Sequence, residues 1–161
     1  MLKSKFKFQV ILIPVLIISL TSTSIYIIAE NWPIKSNQIK WIHIFIAVSI
    51  VNLWLWLVFG ELRTKIINVI VDYDYIEKKN YFGCSYKYNF KDFDGFKISI
   101  LPSRDGSYEY LYLVKADKKI IKISEFYHKN YHELKNKISE NLEDLGEIKF
   151  SYIQEFKEIF K

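Results

Sequence analysis

Two long apolar runs constrain what this chain can fold into more than any other feature. Residues 8–29 and 41–60 each lack Asp, Glu, Lys and Arg. A helix of about 20 residues, rising about 1.5 Å per residue, crosses a hydrocarbon core of about 30 Å. A short polar loop joins the two runs, so they predict a transmembrane hairpin over residues 1–62. The remaining length suits one further small domain.

Cations flank this hairpin unevenly, and the cytoplasmic flanks of membrane spans carry the excess of Lys and Arg. The distribution predicts a multi-pass protein of the cytoplasmic membrane with both termini inside. It also accounts for most of the net charge of +5, which therefore does not indicate nucleic-acid binding. Three cations precede the first run and two follow the second, whereas two lie between the runs. They are Lys3, Lys5 and Lys7, then Arg63 and Lys65, and between the runs Lys35 and Lys40.

A cleaved signal peptide is the alternative interpretation of the first run. Three lysines precede it, and Ser22 and Ser24 resemble a small-residue cleavage site. However, the run continues past Ser24 as IYIIA, and a second apolar run follows. The hairpin is therefore the favoured interpretation.

Polar and aromatic residues within the runs fit a packed hairpin. Ser19 and Ser22 lie at the depth of Asn52 and Ser49 in the antiparallel second span, which predicts an interhelical polar contact. An ion or substrate pathway is the less favoured alternative, because neither span contains a charged residue. Tryptophan prefers membrane interfaces, and the predicted interfacial anchors are Trp32, Trp41, Trp54 and Trp56.

Beyond Arg63 the hydrophobic pattern alternates with a period of two, which is typical of strands. The pattern predicts a small antiparallel β sandwich or open barrel, so the fold class is an α+β membrane protein. Predicted strands cover residues 65–71, 75–82, 86–93, about 96–100, 108–115 and 119–124, with turns at 72–74, 104–107 and 116–118.

Two amphipathic segments close the chain. An apolar stripe predicts a helix over about 130–146 that caps the open end of the sheet, with Asn130 as N-cap and Gly146 as C-terminal residue. The tail 147–161 is predicted to form a separate helix with balanced charge, packed on the domain or a partner rather than on lipid. The stripes consist of Tyr131, Leu134, Ile138, Leu142 and Leu145, then of Ile148, Tyr152, Phe156 and Phe160.

Short antiparallel strands closed by a C-terminal helix resemble the pleckstrin-homology-like (PH-like) domains of bacterial membrane proteins. The resemblance covers residues 63–146, and the segment DGFKISILPSRDGSYEYLYLVKADKKIIKISEFYHKNYHELKNKI is similar to small two-span proteins with such a domain. It implies a binding or scaffolding domain without catalysis. The loop that carries a basic cluster in inositide-binding members is here Asp72, Tyr73 and Asp74, whose carboxylates would repel a phosphate.

The sequence contains few candidate catalytic or metal-binding residues. His128 and His132 are spaced as in some metal sites, but the sequence offers no third ligand, and capping by Asn130 would leave His128 outside the helix. Cys84 has no neighbouring histidine and is interpreted as a turn residue. We therefore predict no catalytic residue, no metal and no cofactor.

Two further surface features are interpreted structurally. The tyrosine stripe at 108, 110 and 112 could face a ligand, but such a stripe is more often core. The lysine pairs at 78–79 and 118–119 are interpreted as solvated strand edges. The function predicted from the sequence is a non-enzymatic, membrane-anchored interaction module that binds the bilayer and a protein partner or a second copy. The alternatives are an accessory subunit of a larger membrane complex and, less favoured, a membrane-associated enzyme.

Overall fold

The computed structural model describes residues 1–30, 41–81, 83–103, 106–151, 153 and 157. Several predicted features lie outside these residues. They are the anchor Trp32, the loop cations Lys35 and Lys40, part of the turn at 104–107, and most of the tail, including Tyr152, Phe156 and Phe160.

The two apolar runs form long helices, as predicted. Helix α1 covers Gln9–Glu30, and helix α2 covers Trp41–Leu55 and continues as a π-helical segment, Trp56–Leu62. Each stretch is 22 residues long with a mean hydropathy of 2.2, and 0% and 6% of the two apolar windows are buried. Both are therefore long and apolar enough to cross a membrane, and most of their residues are not buried, apart from Leu57 and Gly60–Leu62 at the end of the second stretch.

The first sheet contains four antiparallel strands in the order β1-β2-β3-β4. The predicted hairpin around residues 72–74 is present between β2 and β3. Strand β4 ends earlier than the alternation predicts, because Phe90 begins a single 3-10 turn that Asn89 and Asp92 cap reciprocally. The strands are β1 (Leu2–Lys3), β2 (Ile67–Val71), β3 (Tyr75–Asn80) and β4 (Ser85–Asn89).

The residues before α1 belong to this sheet, although the sequence assigned them to the hairpin. Strand β1 pairs with Ile70 and Val71 of β2. The Ser4 amide donates to the Val69 carbonyl at 2.8 Å, and the Lys7 amide donates to the Tyr127 carbonyl at 2.8 Å. The chain segments before α1 and after the π-helical segment are therefore joined in one domain.

The second sheet has the order β7-β6-β5-β8, with antiparallel pairs except for the parallel pair β5–β8. The predicted turn at 116–118 is present, and Ala116 and Asp117 both adopt positive φ, at 48° and 58°. Such angles match the right-handed twist of a two-residue hairpin. The strands are β5 (Gly95–Ser103), β6 (Gly106–Lys115), β7 (Lys118–Ser124) and β8 (Asp144–Glu147).

One hydrophobic core joins the two sheets to helix α3, Tyr131–Ser139. Strand alternation supplies every second residue, and the helix supplies one stripe. The core consists of Ile67, Val69, Val71, Ile76, Phe90, Phe93, Phe96, Ile98, Leu111, Leu113, Ile121, Ile123, Tyr131, Leu134 and Ile138.

Helix α3 is shorter than the predicted span of 130–146. It ends at Ser139, because the following residues form β8 and satisfy the outer edge of β5: the Phe96 amide donates to the Glu143 carbonyl at 2.9 Å. Gly146 has the positive φ expected of it, +88°, but within β8 rather than at a helix end. Of the predicted tail helix, Glu147 belongs to β8, and residues 148–151 have no regular secondary structure.

Candidate functional site: an aromatic cavity at the end of the second apolar helix

A cavity of about 360 Å³ lies where the π-helical segment meets the outer face of the second sheet. The ends of β5 and β6, the turn after β7, and Phe150 complete its wall. Its volume falls within the range of small-molecule sites. Six aromatic side chains line it: Trp56, Tyr108, Tyr110, Phe126, Tyr127 and Phe150.

The tyrosine stripe of β6 contributes to this cavity instead of the core. Leu111 and Leu113 occupy the core face of the strand, so the alternating tyrosines point the opposite way. Tyr110 is nevertheless only 3% exposed: Phe150 stacks on it with ring centroids 6.3 Å apart, and the Lys122 ammonium lies 4.2 Å from its ring centroid. Tyr110 and Tyr112 are buried, as expected of a core stripe, but they lie on the face opposite the main hydrophobic core.

A buried polar trio lies at the wall of the cavity. Lys65 Nζ lies 2.7 Å from Glu61 Oε1, and the Tyr127 hydroxyl donates to Glu61 Oε2 at 2.6 Å. All three residues are at most 8% exposed. Glu61 and Lys65 are four residues apart at the helix end, a spacing that brings two side chains onto one helix face. Each carboxylate oxygen of Glu61 therefore has a donor, as a buried charge requires.

The surroundings of Tyr127 keep its hydroxyl protonated. Burial, and then the Glu61 carboxylate, raise the pKa of Tyr127 far above its ordinary value, because both disfavour the phenolate. The hydroxyl thus remains a hydrogen-bond donor at every physiological pH. Because these three side chains are already joined by an ion pair and a hydrogen bond, the trio is suited to stabilising the wall of the cavity, and not to transferring a proton.

A sequence signal for this trio exists but is incomplete. Glu61 is the single acidic residue between Trp41 and Leu62, and Lys65 follows it at helical spacing. In the sequence, Lys65 is interpreted only as a cation that flanks the second apolar run, since that run ends at Gly60. Tyr127 lies 66 residues from Glu61, so no local pattern connects them.

The predicted interhelical residues lie on exposed helix surface. The Ser49 hydroxyl donates to the Phe45 carbonyl, and the Asn52 amide donates to the Val48 carbonyl, both at 2.8 Å and within α2. Ser19 and Ser22 are exposed on α1. The contact between these four residues stays a prediction.

The predicted anchors occupy different settings. Trp41 is 86% exposed at the start of α2, and Trp54 is 37% exposed near its end. Trp56 instead lines the cavity, with the Lys65 ammonium 5.9 Å from its ring centroid. Their role at a membrane interface stays a prediction.

The two histidines do not converge. The ring nitrogens of buried His128 lie 2.8 Å from the Ser124 carbonyl and 2.9 Å from the Ile67 carbonyl, so His128 joins the two sheets. His132 is exposed on α3 beside Glu125. Cys84 is exposed in the turn between β3 and β4. Within the described ranges, no group of three or more His, Cys, Asp or Glu side chains could hold a metal.

The lysine pairs differ from the expected solvated edges. Strand β3 is an inner strand, and Lys78 is half-buried with Nζ 3.1 Å from the Ile120 carbonyl of β7. Lys119 lies with its ammonium 4.3 Å from the Tyr112 ring centroid. Lys79 and Lys118 are exposed, as expected.

We compared the chain with protein-family models, curated proteins and solved structures, and found no match. No protein-family model matches the chain, and no curated protein or solved structure is significantly similar to it. The class that the fold itself defines is an α+β chain with two long apolar helices, two β-sheets and a C-terminal helix.

Proposed function

We propose that this chain is a non-enzymatic, membrane-anchored interaction module whose hairpin holds a β-domain at the cytoplasmic face of a membrane. One observation carries the proposal. Apolar side chains are exposed along both long helices, whereas the β-domain buries its own apolar residues. Continuous apolar surface of this length is unfavourable in water and matches a hydrocarbon core.

The N-terminal segment supports a hairpin with both ends on one side. Ser4, Lys5 and Lys7 make hydrogen bonds to residues that follow the second helical stretch. A chain that crosses a bilayer twice returns to the side from which it started, so two spans permit these bonds. The flanking cations favour the cytoplasm as that side. Cleavage near Ser24 would remove these bonds, which argues against the signal-peptide interpretation.

The arrangement of the β-domain supports a PH-like interaction domain. Two sheets with mostly antiparallel pairing and a closing helix agree with the resemblance. Strands β1 and β8 are additions to that pattern. The cavity beside Glu61 and Tyr127 offers a contact surface whose polar groups are already satisfied, which suits binding better than catalysis.

An accessory subunit of a larger membrane complex is the second candidate. Ser19, Ser22 and Ser49 are exposed on the two helices, and small polar residues on a lipid-facing surface favour close packing against another helix. In this case the hairpin itself would contact the partner.

Extraction and reporter experiments test the proposal. We expect the full chain to remain in the membrane pellet at alkaline pH, and a fusion after Lys161 to be active only as a cytoplasmic reporter. Release at alkaline pH, or an active periplasmic fusion, would contradict the anchoring or the orientation. Crosslinking in mild detergent then separates the candidates: crosslinks from the β-domain support the module, and crosslinks from α1 or α2 support the accessory subunit.

A further inference from the structure

The aromatic cavity is walled by rings that come from separate parts of the chain. Trp56 belongs to the π-helical segment, Tyr108 and Tyr110 belong to β6, and Phe126 lies in the turn after β7. Phe150 follows β8 and stacks on Tyr110. Elements that are distant in sequence therefore converge on one concave space, as they do in small-molecule sites.

These rings hold one another in place without a ligand. Phe126 contacts Tyr108 edge-to-face with ring centroids 5.1 Å apart, and it contacts Tyr127 in the same way at 5.0 Å. The Tyr127 hydroxyl in turn donates to Glu61. A wall that is already ordered loses little conformational entropy on binding. A flat ring that joins such a wall gains aromatic contacts beyond the burial of its area, whereas an alkyl chain gains the burial alone.

The charges around the cavity disfavour a charged ligand. Glu61 and Lys65 are the charged side chains among the described residues that line it, and they form an ion pair at 2.7 Å. A ligand cation would compete with two ammoniums, because those of Lys65 and Lys122 lie 5.9 and 4.2 Å from the Tyr110 ring centroid. A ligand anion would lose its hydration beside the Glu61 carboxylate. The favoured ligand is therefore uncharged.

The position of the cavity along the chain indicates the source of such a ligand. Trp56 begins the last seven residues of a 22-residue stretch that is apolar enough to cross a membrane. Under the proposed anchoring, the cavity lies at the membrane interface, where Trp and Tyr side chains are enriched. The exposed lining residues Pro102 and Ser103 mark its open side. An uncharged ring compound dissolved in the bilayer reaches this level directly.

We propose that the cavity binds an uncharged, lipid-soluble molecule that carries a flat ring. The ring packs among the aromatic side chains of the π-helical segment, β6 and the turn after β7, and the Glu61–Lys65–Tyr127 trio stabilises the wall. Binding adds contacts between the end of the second apolar helix and the second sheet. This inference rests on the proposed membrane anchoring, which supplies the source of the ligand.

Equilibrium dialysis of the full chain in phosphatidylcholine nanodiscs tests the site, with empty nanodiscs as the correction for probe dissolved in lipid. The ring probes are methoxynaphthalene, which is uncharged, naphthoate, which is an anion, and naphthyltrimethylammonium, which is a cation. Nonanol is the uncharged probe without a ring. We expect methoxynaphthalene to bind saturably, and at least about ten-fold more tightly than each of the other three.

The first variant fills the cavity. Ser103→Trp introduces an indole from an exposed position at the open side, so the core is not disturbed, and it should weaken methoxynaphthalene binding at least about ten-fold. Ser107→Trp is the matched control. Ser107 is also exposed, but it does not line the cavity and lies on the opposite face of β6 from Tyr108. Equal binding by these two variants would mean that the probe does not occupy the cavity.

The second variant removes one ring and keeps an apolar side chain. Phe150→Leu eliminates the stack on Tyr110, so it should weaken methoxynaphthalene binding about five-fold and leave nonanol binding unchanged. Phe150 lies outside the regular strands and the main core, so the fold does not depend on its ring. Unchanged binding of methoxynaphthalene would contradict the role of the aromatic contacts.

The remaining outcomes also decide. Equal or tighter binding of either charged probe would overturn the uncharged class, and equal binding of nonanol would overturn the ring. Uptake without saturation would show dissolution in lipid alone. Alkaline extraction separates this inference from the anchoring. A wild-type chain that stays in the membrane pellet but does not bind methoxynaphthalene saturably rejects this inference alone, whereas release of the wild-type chain rejects the anchoring itself.

Discussion

The two faces of the second sheet are built from the same strands and differ completely in chemistry. On the inner face, Leu111, Leu113, Ile121 and Ile123 are fully buried among other apolar residues. On the outer face, Tyr108 and Tyr110 line a cavity together with the buried Glu61–Lys65 ion pair at the end of the second helix, and a hydrogen bond from Tyr127 joins that helix end to the turn after β7. The inner face therefore supplies stability, and the outer face supplies the connection to the hairpin.

The largest expected effect comes from the inner face. Leu113→Ala should lower the free energy of unfolding by about 4 kcal/mol, because it leaves a cavity at a fully buried position. Thermal unfolding of the detergent-solubilised chain measures the change. Ile100→Ala is the control on β5, since Ile100 is 43% exposed and should cost less than about 1 kcal/mol. Equal losses would mean that the inner face is not the principal core.

Removal of one charge tests the outer face. Glu61→Leu should destabilise the chain by about 3 kcal/mol, because it leaves the Lys65 ammonium buried without its carboxylate. The double variant Glu61→Leu/Lys65→Met should recover most of that loss, since it removes both charges. A double variant as unstable as the single one would show that the loss does not come from the unpaired Lys65 charge.

Another test concerns the edge of the second sheet where β8 pairs with β5, and not either face. A Cβ on Gly95 would lie 2.5 Å from the Glu143 carbonyl oxygen and 2.7 Å from Leu145 Cγ, so β8 has no room for a side chain there. Gly95→Ala should therefore cost about 2 kcal/mol. Gly106→Ala is the control for backbone strain, because Gly106 also has a positive φ, +130°, but a Cβ there would meet no atom within 4 Å, so it should cost less than Gly95→Ala. Comparable losses in the two variants would contradict the close approach of β8.

Acidification should weaken the link between the two sheets. Burial lowers the pKa of His128 below its ordinary value of 6.5, so the unfolded chain binds a proton more readily than the folded one. Stability from this group is complete above pH 6.5 and is lost as the pH falls towards the lowered pKa. A His128→Gln variant should lose less stability over this range than the wild type, and His132→Gln should behave as the wild type does.

The smallest expected effect concerns the turn between β6 and β7 in the second sheet. Asp117 adopts a φ of 58°, a left-handed conformation that glycine adopts without a steric penalty. Asp117→Gly should raise the free energy of unfolding by about 0.5 kcal/mol, after the entropic cost of glycine. A lower melting temperature would show that the Asp117 side chain makes a contribution larger than the backbone strain.

Sequence patterns predicted helices and strands well, because apolar residues recur with a different period in each. The two apolar helices and the turn at 116–118 follow from length, charge and spacing. Alternation also identified which residues of β6 share a face, but it does not say which face meets the core. For that reason the sequence predicted buried tyrosines at 110 and 112, but not that they lie opposite the main core.

Long-range contacts account for what the sequence did not reveal. Strand β1 has two residues and precedes a helix, so it has no detectable pattern of its own. Helix α3 ends before its apolar stripe does, because pairing of β8 with β5 competes with further helical turns. Glu61 and Lys65 show a local spacing, whereas the role of Tyr127 depends on a contact across 66 residues.

The position of strand β1 imposes an order on assembly during synthesis. The Lys5 amide binds the Asn130 side chain across a separation of 125 residues, and both apolar helices lie between the two. Strand β1 can pair with β2 once both helices have been synthesised, but the bond from Lys5 forms only after the chain has extended to Asn130. Closure of this long loop is slow compared with local folding. The domain can thus be completed only after both apolar helices have been synthesised.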